Sequence, residues 1–366
     1  MLSAGIPLRR LFCRLFASRA RARLRARHCE DQRGNAVKLP PRNFLHLAAG
    51  AAALSTLVHV AWAQDWPTRP VTMVVPFAAG GPLDTGGRLV APVLSERLGQ
   101  QVIVENVVGA GGMTGAARVA KAAPDGYQFV LGNSATHAQN QSLYKRPMYN
   151  AVTDFSPVTV IYHSTAVLIA RKDFPAKTLG EFITYVKANQ ATLQYGSGGA
   201  GSASHTACVL VNSLIGVSIT HVPYRGAAPA MQDLVGGRID YMCNYISTSL
   251  PQIEAGAVKP IALLAPRRSP ALPDLATAHE QGLKDFDADV WTAFFLPKGA
   301  PLTIVQRLAR ATSDALDTPA VRQRLADLGL RVARPEERMP EYLGKLVQAE
   351  IAKWAGPIKR SGVSMD

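Results

Sequence analysis

The chain has 366 residues and a formal net charge of +14, but the excess is lopsided: residues 1–63 hold 11 basic and 2 acidic side chains, the rest 29 and 24. A small positive excess after residue 63 suits capture of anions, is too weak for nucleic acid, and has no basic–aromatic patch beside it. The 303 residues after Ala63 exceed what one core usually supports, so two domains are expected.

Residues 1–36 carry nine arginines against Glu30 and Asp31, with no apolar periodicity. They read as a nucleic-acid-binding or organelle-targeting arm, or as sequence upstream of a later translation start near Val37; the complete export signal behind them favours the second. That signal has Lys38 and Arg42 in front, an apolar run from Phe44 to Ala61, and Ala61-Trp62-Ala63 as a small-x-small cleavage site. A run of this length could just span a bilayer. It is rich in Ala and Gly, however, and polar QDWPTRP follows it. Cleavage near Ala63 and a periplasmic protein beginning at Gln64 are therefore expected in preference to a retained anchor. Pro41-Arg42 stands where a twin-arginine pair would, which points to general secretion of an unfolded chain. Cys13 and Cys29 leave with the leader. Cys208 and Cys243 remain, in neither a CxxC nor a zinc spacing, and read as two buried thiols or a disulfide, with the thiols preferred.

After Gln64, short β-branched runs alternate with helical stretches, the pattern of α/β layers. Strands are predicted at 71–75, 102–106 and 127–132, with helices at 85–99 and near 114–122. A long extended run, 158–170, leads to a second unit. There, strands at 193–197, 218–222, 239–243 and 259–265 alternate with helices, the first over 204–215. A second extended run, 289–296, returns the chain, and roughly 301–361 is predicted helical throughout. Ligands in such sheets sit beyond the carboxyl ends of strands, which here means the loops after residues 75, 132, 197, 222 and 243.

In PFAAGGPLDTGG (76–87), Gly80 and Gly81 allow backbone to approach a ligand and Asp84 can cap the helix, although a plain tight turn would need the same residues. GAGGMTG (109–115) superficially matches a dinucleotide loop. It follows the second strand, though, and Asn133 stands where the acidic ribose ligand should be, so no cofactor is expected. In GSGGAGSASH (196–205), Ser197, Ser202 and Ser204 set hydroxyls beside a helix start, either as an anion cradle or as a capped turn. Ser197 has Tyr195 where a nucleophile elbow needs glycine, and GNSAT at Ser134 ends in Thr136. His137, His163, His205 and His221 lack ligand spacing, and neither a metal site nor a P-loop is indicated.

Taken in order, PVTMVVPFAAGGPLDTGGRLVAPVLSERLG, GAGGMTGAARVAKAAPDGYQFVLGNSATHAQNQSLY, YGSGGAGSASH, HVPYRGAAPAMQDLVGGRIDYM, RSPALPDL and EIAKWAGPIKRSGV resemble the Bug family, the receptors of tripartite tricarboxylate transporters. The resemblance covers nearly all of Gln64–Asp366. It implies an α/β, two-lobed periplasmic-binding-protein fold (type II-like), with a ligand cleft between lobes and two extended hinge crossovers. Residues 64–166 and 290–366 would form one lobe and 167–289 the other. It further implies a monomer that binds a small organic acid and hands it to membrane permease subunits, with no cofactor and no catalysis.

Carried over by position, Phe77, Ala79, Gly80 and Gly81 would supply backbone donors near Asp84, and Ser134, Thr136 and His137 the cleft floor. Ser197, Gly201, Ser202 and Ser204 would lie opposite, with Tyr224 and Arg225 close by. Arg225 would be a bidentate carboxylate clamp or a solvent-facing side chain. Asn244 departs from the family's frequent aspartate; a neutral amide there points to acids without an ammonium group. An extracytoplasmic sensor shares the same binding chemistry. A secreted α/β hydrolase using these serines, a histidine and Asp84 or Asp240 is the remaining alternative.

Overall fold

Strand-forming residues sit where the alternation of β-branched and polar segments placed them, and the computed structural model describes residues 66–284 and 286–366. The arginine-rich leader and the export signal lie outside the described residues.

The first sheet contains β1 (Val71–Val75), β2 (Val102–Asn106), β3 (Gln128–Asn133), β4 (Phe155–Ser164), β10 (Val290–Pro297) and β11 (Leu330–Val332), in the order β11-β4-β10-β3-β1-β2. β1 runs parallel to β2 and β3, whereas β10 is antiparallel to β3 and β4. The second sheet, ordered β7-β6-β8-β5-β9, contains β5 (Ala166–Arg171), β6 (Gln194–Ser197), β7 (Thr220–Pro223), β8 (Tyr241–Tyr245) and β9 (Val258–Leu263). The helices that flank these strands are α1 (Pro82–Leu98), α2 (Met113–Ala120), α3 (Asn140–Leu143), α4 (Leu179–Ala188), α5 (Ala203–Ile215), α6 (Ala227–Val235) and α7 (Ile246–Glu254). α8 (Leu302–Leu316), α9 (Pro319–Asp327) and α10 (Pro340–Ser361) return the C-terminal chain to the first sheet.

Each sheet has some apolar filling of its own, and a further cluster joins Val130 and Phe295 of the first to Leu168 and Tyr241 of the second. Phe129 meets Phe294 edge-on at 4.8 Å in the first, and Val167, Ile169, Met242 and Ile246 form one cluster of the second. Both faces of the central strands are covered, so β1 and β10 are almost entirely buried and read as continuous apolar runs.

Several boundaries differ from the expectations. The single extended run 158–170 is two strands in different sheets, joined at Thr165 alone. Its continuous apolar character hides the junction because both strands are buried. β10 returns alongside, with Val290 paired to Ser164, so the two crossovers lie side by side. α1 starts at Pro82, earlier than residue 85, because proline fits the first helical turn, where its missing N–H costs nothing. The C-terminal part is not helical throughout: Leu330–Val332 forms a short strand against β4. α4 was not anticipated; Thr178 caps it by accepting from the Glu181 N–H at 3.2 Å.

Cys208 and Cys243 form a disulfide, with Cα atoms 5.3 Å apart, instead of two free thiols. Sequence spacing conceals this, because the bridge joins α5 to β8 only once both face the same core.

Candidate functional site

The carboxyl ends of the strands in both sheets converge on one cavity, which holds about 510 Å³ of space unoccupied by protein, part of it open to solvent. Each of the five loops marked in the sequence lines it. Phe77, Gly81, Pro82 and Leu83 follow β1, and Asn133 ends β3. Gly198 and Ser202–Ser204 follow β6, Ala227 follows β7, and Asn244 and Tyr245 end β8. The crossovers close the back with Tyr162, Ser164, Val290 and Thr292.

No Arg, Lys, His, Asp or Glu lines this cavity among the described residues. Positive potential comes from backbone instead. The first turns of α1 (17 residues), α5 (13 residues) and α6 (9 residues) all border it. Unpaired N–H groups and aligned peptide dipoles at such ends favour an anion. Asn133 adds a side-chain donor: its Oδ1 accepts from the N–H groups of Ala135 and Thr136, both at 3.1 Å, which leaves Nδ2 as the group free for a ligand.

The loops are held from behind. Asp84 accepts from the Gly80 N–H at 2.9 Å, from Arg88 Nε and from Asn106 Nδ2. Burial alone would raise its carboxyl, yet the bonds from Arg88, Gly80 and Asn106 keep it below the usual carboxylate range. Ser202 caps α5 by accepting from His205 N–H, and Ser204 Oγ accepts from Gly198 N–H at 2.9 Å. Ser197 Oγ lies 2.7 Å from His221 Nε2, and His205 Nδ1 accepts from Gly201 N–H at 3.2 Å. The two imidazoles pack 4.2 Å apart. Burial pushes His205 down to about 3 and His221 to about 4, so each stays a neutral ring able to accept.

The predicted site residues therefore separate into two sets. Phe77, Gly81, Ser202, Ser204 and Asn244 line the cavity. Asp84, Ser197 and Gly201 shape its loops from outside the lining, and Ala79 and Gly80 are exposed beside it. Thr136 accepts from Asn133 N–H at 3.0 Å. His137 is fully buried, stacked on Phe295 at 3.8 Å and pushed down to about 3 by burial. Ser134 is equally buried, and none of the three lines the cavity. Tyr224 donates to Asp233 at 2.7 Å, and Arg225 faces solvent with no ion pair among the described residues. Ser197 and His221 have the atoms of a hydrolytic dyad, but Ser197 is fully buried and outside the lining. Asn133, Tyr162, Ser164, Val290 and Thr292 escaped the sequence reading. Four of them lie on crossover strands whose sequence looks like ordinary core; Asn133, in GNSAT, was the legible one.

The two walls touch. A Cβ on Gly226 would lie 2.6 Å from the Ala78 Cβ, and one on Gly111 would lie 2.5 Å from the Gly201 carbonyl carbon. Gly111 also has φ +60°, a left-handed conformation that favours glycine. At these two points the walls meet through glycine.

Two α/β lobes joined by paired crossovers around such a cavity define a two-lobed periplasmic-binding-protein fold. Residues 87–363 match the family described as the tripartite tricarboxylate transporter family receptor, and the chain belongs to that family of solute-binding receptors. A UPF0065 protein of Agrobacterium vitis is 41% identical over 327 residues, which cover 89% of this chain and 94% of that one. The solved structure of MatC from Rhodopseudomonas palustris with bound malate is 44% identical, with TM-score 0.78, covering 80% of this chain and all of that one. The periplasmic binding protein BugD is 38% identical, with TM-score 0.80, covering 82% and 100%.

Proposed function

We propose that this receptor captures a small organic carboxylate in the interlobe cavity and presents it to the membrane permease subunits of a tripartite transporter. One observation carries the reading: three helix N-termini and the Asn133 amide converge on a cavity without a charged side chain. A carboxylate gains from that field, whereas a cation loses its hydration without replacement. MatC, similar over nearly the same span, holds malate. The lobes divide as 64–166 with 290–366 against 167–289, export uses the signal ending near Ala63, and binding involves no chemical change to the ligand.

The contact of Ala78 with Gly226 corresponds to the closed form, and a ligand touching both walls favours it by its differential affinity. Native mass spectrometry of protein purified from its own periplasm tests the reading by showing a co-purified acid. Calorimetry with a panel of mono-, di- and tricarboxylates then ranks the class. Small-angle scattering should show a smaller radius of gyration once the acid is saturating. A receptor that binds no carboxylate in any of these would refute the proposal.

A further inference from the structure

Asn244, fully buried at the end of β8, lines the cavity, and its amide is used on one side only. Nδ2 donates to Thr248 Oγ1 and to Ser249 Oγ, both at 3.1 Å, so both of its hydrogens are taken. The Thr248 hydroxyl gives its own proton to the Tyr245 carbonyl, which fixes it as an acceptor and fixes the amide orientation. Oδ1 is left enclosed without any protein partner. A buried acceptor in that state is unfavourable until a donor reaches it.

Resting on the carboxylate reading above, we propose that Asn244 Oδ1 accepts a hydrogen bond from a ligand hydroxyl, making the receptor selective for hydroxylated carboxylic acids over their deoxy counterparts. The cavity's other features leave few alternatives for that donor. An ammonium group would also fit the acceptor geometrically. It would, however, enter a space with no side-chain negative charge, surrounded by helix N-termini that repel it. A methylene in the same place leaves the acceptor unpaired. A neutral hydroxyl satisfies it with no charge penalty, while the carboxylates of the same molecule take the N–H groups.

The test is calorimetric titration of the exported protein with matched pairs differing by one hydroxyl: malate and succinate, 2-hydroxyglutarate and glutarate, citrate and tricarballylate. Aspartate and glutamate complete the set. The expected result is that the hydroxy member of the best-binding pair is tighter by about 10-fold or more, with amino acids weaker than either. In Asn244→Leu the two members should bind within about twofold of each other. Equal affinities in the unmodified protein, or an undiminished ratio in Asn244→Leu, would overturn the assignment and leave the carboxylate site standing. Failure of every acid to bind removes the carboxylate reading and this inference with it. Should Asn244→Leu fail to fold, Asn244→Asp keeps the test open: its carboxylate should move preference from the hydroxy toward the amino acid, and no change of order counts against the assignment.

Discussion

At residue scale, the contact between the two walls depends on atoms that are absent. Gly226 has an extended backbone that any residue could adopt, so its requirement is purely steric: the missing Cβ lets Ala78 of the opposite wall reach it. Gly226→Ala should therefore leave the unliganded melting temperature within a degree or two while weakening ligand affinity about 5- to 150-fold, because overpacking of this kind costs roughly 1–3 kcal/mol in the closed form alone. Calorimetry beside a thermal melt checks it; equal loss in both would mean that the glycine serves the fold. Asp84 shows the opposite logic, a charge placed to hold backbone. Asp84→Ala should destabilise by about 1–3 kcal/mol in urea titration, since Gly80 N–H, Arg88 and Asn106 lose their shared acceptor. Sequence reading picked out both loops but not these roles. Glycines in a loop suggest backbone approach, yet nothing local tells whether a ligand or the other wall approaches.

At the scale of elements, the second wall is assembled by a covalent tie. The Cys208–Cys243 bridge joins α5, whose first turn borders the cavity, to β8, which ends in Asn244. Closing a loop over a separation of 35 residues removes unfolded-state entropy worth roughly 3–4 kcal/mol. The double variant Cys208→Ser with Cys243→Ser should lower unfolding stability by about that amount, which denaturant titration reads directly. The expectation of two free thiols failed because spacing along the chain says nothing about a contact made by tertiary folding. Regular elements were far more legible: β2 was predicted at its observed bounds, and β1 likewise, because the first run stops at Pro76 and the second ends in Asn106. The crossovers were legible as extended chain but not as cavity walls. Tyr162 and Ser164, like Val290 and Thr292, are two residues apart, so alternation puts each pair on one face of its strand, and only the fold makes that face line the cavity.

At the scale of the whole molecule, buried histidines set the response of stability to acid. His137 and His205 are pushed down to about 3 and His221 to about 4, while the unfolded chain binds their protons near 6.5. Between those limits the unfolded state holds more protons, so stability is full above about pH 7 and falls as pH drops. Each fully suppressed histidine contributes about 2 kcal/mol of that loss at pH 5. Asp289 works the other way: burial, then the charge of Asp287, pushes its carboxyl up to about 7, so its contribution is lost as pH rises from about 4 to 7. Three groups outweigh one, and the urea midpoint should be lower at pH 5 than at pH 7.5; a flat profile would mean that the imidazoles are hydrated and protonated in the folded chain. The cavity behaves differently, since nothing that lines it gains or loses a proton in this range. Down to the acidity at which the scaffold itself yields, scavenging should then track the ionisation of the nutrient and of Asp289, which precedes the lining Val290 and whose charge acts on the lining Tyr245; it should be nearly indifferent to added salt, because peptide dipoles sheltered from the surroundings attract no counterions to be displaced.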